Sequence, residues 1–149
     1  MGLDMYLTAK RYLFKTRPED KAIADAVGKL DIKHNGMRVK ELACEAMYWR
    51  KANAIHRWFV QNVQEGKDDC REYYVTISQL RKLLEACKEV RSDHSKAETL
   101  LPPYDGFFFG SSNIDEWYWE DINITIDNLE GLLEGSVSQE WEFYYASSW

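Results

Sequence analysis

The stretch Arg38-Val39-Lys40-Glu41-Leu42-Ala43-Cys44-Glu45-Ala46-Met47-Tyr48-Trp49-Arg50-Lys51-Ala52-Asn53-Ala54-Ile55-His56-Arg57-Trp58-Phe59-Val60-Gln61-Asn62-Val63-Gln64 changes its period midway. Through Met47 two sets of side chains alternate, Val39, Glu41, Ala43, Glu45 and Met47 against Lys40, Leu42, Cys44 and Ala46. That pattern permits a strand. From Tyr48 onward the apolar residues Tyr48, Ala52, Ile55, Phe59 and Val63 fall at i, i+4, i+7, i+11 and i+15, which is one stripe of a helix. The spacing predicts a strand that runs into a helix at Tyr48, ends near Gln64 and is closed by Gly66.

The same alternation of periods continues on both sides. Upstream, Leu3, Met5 and Leu7 alternate with Asp4, Tyr6 and Thr8, so a strand begins almost at the first residue. Arg17-Pro18-Glu19-Asp20 starts a short helix, with Pro in the first turn and acids near the positive end of the dipole. Asn35-Gly36 marks a turn. Downstream, Tyr73-Tyr74-Val75 reads as a brief strand, and Thr76 with Gln79 as the capping box of a helix through Leu80, Leu83, Leu84, Cys87 and Val90. Pro102-Pro103 and Gly106 open a loop, and Ser112 or Asn113 is expected to cap a helix over Ile114–Glu134. The aromatic run Trp141-Glu142-Phe143-Tyr144-Tyr145 reads as a terminal strand. The expected fold is α+β: a small antiparallel sheet including both termini, packed by three longer helices and one short helix, in one domain spanning residues 1–149.

Charge is divided unevenly along this chain. The last 53 residues hold 11 of the 25 acids and none of the 19 bases, a net of −11. The first 96 hold the other 14 acids and all the bases, a net of +5. Hydrophobic residues make up 45% and aromatic residues 14%, enough for a real core, which argues against wholesale disorder. No apolar run approaches the roughly 20 residues of a membrane span. The start, Met1-Gly2-Leu3-Asp4, lacks a basic segment followed by an apolar one. Three dispersed cysteines without a CxxC suit a reduced compartment.

Placed against its apolar stripe of Ile114, Tyr118, Ile122, Thr125, Ile126, Leu129 and Leu133, the last long helix gathers Glu116, Glu120, Asp127, Glu130 and Glu134 on its outer face. At 1.5 Å per residue these acids make a negative stripe about 27 Å long. Like charges at i, i+4 work against the helix, and no Lys or Arg lies between them. A field of that sign suits docking to a basic protein surface, including one that handles nucleic acid. Direct binding of nucleic acid by this face is disfavoured by the phosphates. Neutralisation by the basic first part of the chain is the alternative.

A second candidate is a ligand pocket around Trp49, Arg50, Asn53 and His56, with Phe107, Phe108 and Phe109 as its lid. On the expected helix Trp49, Asn53 and His56 share a side, and Arg with Asn suits a carboxylate or phosphate while Trp suits a flat ligand. Solvated bases beside a core stripe would look the same. Three adjacent rings between Gly106 and Gly110 cannot all face one way, and a plug for the protein's own core is the favoured role. No catalytic residue is assigned: the three histidines lack HxxxH or HExxH spacing, no metal or cofactor motif occurs, and Cys70 with His56 and Asp68 or Asp69 is only a notional nucleophile and base. The aromatic tail from Trp141 to Trp149 also suits a homodimer contact.

Several blocks resemble a family of small uncharacterised phage and prophage proteins: Met1–Leu7, Tyr48–Asn53, Asp68–Cys70, Gly106–Ser111, Asp115–Tyr118 and Phe143–Trp149. The resemblance covers nearly the whole chain and supplies no catalytic residue. It implies a phage-encoded accessory protein acting in the bacterial host cytoplasm, of a class whose small acidic members bind and inhibit host proteins, including defence and nucleic-acid-handling ones.

Overall fold

Four antiparallel strands in the order β2-β1-β4-β3 form one sheet in the computed structural model, which describes residues 2–30, 32–135 and 137–149. The strands are β1 (Asp4–Tyr12), β2 (Glu41–Arg50), β3 (Tyr73–Val75) and β4 (Glu142–Ser148). The first and last strands pair along most of their length, Asp4 opposite Ser148 and Lys10 opposite Glu142, so both ends of the chain lie in the sheet. Period-two alternation sorts their side chains. Leu3, Met5 and Leu7 with Phe143 and Tyr145 are almost completely buried. Each such burial contributes about 1.5–3 kcal/mol. The opposite face carries Tyr6, Tyr48, Tyr74 and Tyr144, one from each strand.

The helices are α1 (Pro18–Gly28), α2 (Asn53–Asn62), α3 (Ile77–Ser92), α4 (Ala97–Leu100), α5 (Glu116–Leu133) and α6 (Val137–Glu140), with a 3-10 turn at His94–Lys96. The core against the apolar face is built from α2, α3, α4 and α5. The architecture is the α+β arrangement that periodicity predicts. Two four-residue helices and the 3-10 turn are added, too short to leave a periodic signal. The capping box is present: Thr76 accepts from the Gln79 amide, and the Gln79 side chain accepts from the Thr76 amide. The cap of α5 is Asp115, whose carboxylate accepts from the Tyr118 amide at 3.1 Å, not Ser112 or Asn113.

The stretch from Arg38 to Gln64 departs from its expected reading in two places. A bulge shifts the β1–β2 register, with Leu7 opposite Met47 but Thr8 opposite Glu45, so Ala46 is the extra residue. Glu45 and Met47 therefore face opposite sides, which is why alternation there was ambiguous. The strand also continues past Tyr48. Tyr48 pairs with Tyr6 and Trp49 with Met5, and Trp49 is buried where its indole N–H donates to Thr125 at 2.9 Å. Lys51, in the left-handed region at φ 59°, turns the strand directly into α2. Such backbone in a residue with a side chain costs on the order of 1 kcal/mol. Here it is fixed by pairing of the Lys51 amide with the Leu3 carbonyl.

An acidic helix face and the pocket beside it

α5 is built as its sequence prescribes. Tyr118, Ile122, Thr125, Ile126, Leu129 and Leu133 are buried against the sheet and α3. The opposite side is solvent-facing, so Glu116, Glu120, Asp127, Glu130 and Glu134 are all exposed. Glu130 pairs with Lys88 of α3, whose ammonium holds its carboxyl below the usual range. Glu116, Glu120, Asp127 and Glu134 form no ion pair among the described residues. The basic first part of the chain therefore neutralises one member of the stripe by contact. Flanking it on the same helix are Trp117, 67% exposed, and Ile124, 41% exposed.

Trp117 also stands at the edge of a pocket of about 360 Å³. Three segments supply its walls: Arg50 to Ile55 where β2 turns into α2, Gly110 to Asn113 in the loop before α5, and Asp115 to Ile122 on the first turns of α5. Asn53 fixes the loop in place. Its amide nitrogen donates to the carbonyls of Phe109 at 3.0 Å and Ser111 at 2.7 Å, and its oxygen accepts from the Tyr104 amide at 3.0 Å. Gly106 is needed where it is, since a Cβ there would come within 2.5 Å of the Phe109 ring.

Asp121 is the acid of this pocket that sequence periodicity missed. It falls about 140° around the helix from Glu116, on neither the acidic face nor the buried stripe. Partial burial pushes its carboxyl up to about 7, and the negative charges of Glu120 and Asp115 push the same way. Among the described residues no ion pair and no side-chain hydrogen bond engages its carboxylate, which is half-buried. The clue available in sequence was an acid beside Ile122 at the edge of a core stripe, which amphipathic bookkeeping assigns to solvent.

The residues expected to form one pocket are divided among three sites. Arg50 and Asn53 line the cavity. Trp49 is a β2 residue in the core, not a member of the helix face shared with Asn53 and His56. His56 is wholly buried and turned the other way. Its Nδ1 lies 2.7 Å from the Tyr145 hydroxyl and its Nε2 3.0 Å from the Asp68 carboxylate. Asp68 can only accept, so Nε2 carries the proton and Nδ1 accepts from Tyr145. Burial lowers the pKa of His56 and outweighs the pull of Asp68, while burial holds Tyr145 far above the ordinary phenol range. The Trp149 indole donates to the other Asp68 oxygen at 3.1 Å. Both imidazole nitrogens are thus engaged, leaving none to activate the thiol of Cys70.

The three phenylalanines also part company. Phe109 is buried against His56 and Tyr104, Phe108 is half-buried, and Phe107 is 96% exposed. One ring plugs the core and none closes the pocket, which is lined instead by Gly110 and Ser111 just beyond them. Among the described residues no group of three His, Cys, Asp or Glu side chains converges on a metal position. No helix there is long and apolar enough to cross a membrane. The chain matches no family model, no curated protein and no solved structure.

Proposed function

We propose that this chain is a phage-encoded accessory protein that binds a basic host protein through the outer face of α5. Inhibition of a nucleic-acid-handling or defence protein is the consequence of covering that partner's basic surface. The observation that carries the reading is the exposure of all five acids, four of them without an ion pair among the described residues. Trp117 and Ile124 beside the stripe add apolar contact, and an exposed Trp at the border of a charged face has the character of a binding anchor. The acids would govern association rate and its salt dependence, and the aromatic anchor the lifetime of the complex.

The test compares wild type with a triple reversal, Glu120→Lys, Asp127→Lys and Glu134→Lys, as baits in host lysate with quantitative mass spectrometry. Basic proteins retained at low salt by wild type, released at high salt and absent from the variant support the reading. Identical retention by both baits, with circular dichroism showing both folded, overturns it.

A further inference from the structure

Beyond that docking surface, we propose that the pocket between α2 and α5 binds a small zwitterion. Its cationic nitrogen is held by Asp121, Asp115 and the Trp117 ring, and its carboxylate by Arg50 and Lys51. The pocket's 360 Å³ lies at the small end of ligand cavities, which run from about 300 to 1,000 Å³. Charges of both signs line it and come from different elements, the cations from the end of β2 and the acids from the start of α5. They do not neutralise one another: no ion pair joins Arg50 or Lys51 to Asp115 or Asp121.

Asp121 makes the case for a cation. A partly buried carboxylate with two acids as neighbours and no partner is costly to ionise, and a bound ammonium would offset that cost directly. The Trp117 ring in the same wall adds cation–π attraction. Arg50 and Lys51 make the case for an anion at the other element. They are joined there by the first turn of α2, which has no side-chain cap. A phosphate ester fits less well, since its double charge would meet Asp115 and Asp121 in a small space. A carboxylate and an ammonium on one small molecule use both ends, across a floor closed by the buried side chains of Ile55 and Ile122. The Asn53 clamp holds the walls in place beforehand, so little ordering is left for the ligand to drive.

The test is calorimetric titration of the full chain with glycine, 4-aminobutyrate, 6-aminohexanoate and L-lysine, against hexylamine and hexanoate as singly charged controls. At least one zwitterion is expected to bind about tenfold or more tightly than both controls, as the loss of one charge-assisted contact implies. Asp121→Asn and Arg50→Gln should each weaken that zwitterion by about tenfold or more. Asp127→Asn with Glu134→Gln on the acidic face should leave it unchanged, which separates this site from the docking surface. Thermal melts confirm that each variant is folded before titration. Binding of no zwitterion, equal binding of the controls, or wild-type affinity in Asp121→Asn overturns the proposal.

Discussion

Asp68 and Asp121 are two carboxylates at the margin of one core, and they are treated in opposite ways. Asp68 receives the His56 N–H and the Trp149 indole, and His56 in turn accepts from Tyr145, so each polar atom of that chain has a partner. Asp121, half-buried, forms no ion pair among the described residues and lines a cavity. Burial alone does not distinguish a structural polar group from a binding one. What distinguishes them is whether the fold completes the hydrogen bonding or leaves it to something else.

The contrast breaks most sharply at His56. His56→Ala leaves the Tyr145 hydroxyl without its partner and takes one of two donors from the Asp68 carboxylate around a cavity, with an expected loss of about 3 kcal/mol. A lower urea midpoint with an unchanged slope would show it. The wild-type protein carries a related pH signature. Because burial lowers the pKa of His56, the unfolded chain takes up this proton first. Stability from His56 is therefore complete above the ordinary value of 6.5 and declines as the pH falls below it.

Asn53→Ala comes next, at about 2 kcal/mol, since two loop carbonyls and one amide lose a buried partner. Hydrogen exchange should locate the damage, with faster exchange at Tyr104 and in the loop to Ser111. Unchanged protection there would show that the loop holds without its clamp.

Asp121→Asn is smaller and opposite in sign. Its carboxyl stands at about 7 in the folded chain against 3.8 as the ordinary value, so the folded state holds the proton more tightly. Wild-type stability from this group is full below about 4, falls as the pH rises towards 7 and is level above. Asparagine removes that decline. The variant should exceed wild type at pH 8 by on the order of 1 kcal/mol after solvent screening, and match it near pH 4. Melts of both proteins across that range check it, and parallel curves would show that Asp121 is an ordinary surface acid.

Sequence made one of these regions far more readable than the other. The acidic face of α5 follows from periodicity alone, because core and solvent sides of a long helix repeat every 3.6 residues. Both termini in the sheet could be read from the alternation at Leu3–Leu7 and the aromatic run before Trp149. The pocket could not, because its walls come from segments far apart in the chain that long-range contacts such as the Asn53 clamp and the Trp49–Thr125 bond bring together. The bulge at Ala46 and the left-handed Lys51 hide the true end of β2 from a periodicity reading, and Trp49, which helical spacing groups with Asn53, belongs to a strand. Sequence groups His56 with the pocket residues because its actual partners, Asp68 and Tyr145, are 12 and 89 residues away.

Trp117 sharpens the comparison at its quiet end. With two-thirds of the side chain in solvent, its removal takes little from the core, and Trp117→Ala should change stability by less than about 0.5 kcal/mol. The same change removes the ring from the pocket wall and the apolar anchor from the edge of the acidic stripe. Loss of zwitterion binding with retained partner binding would assign the ring to the cavity, and the reverse pattern to the docking face. Loss of both would mean that the two surfaces share one residue, so that ligand in the pocket competes with the partner on the helix. A large fall in stability would instead make Trp117 a packing residue like Tyr118 beside it, and its exposure would carry no functional meaning.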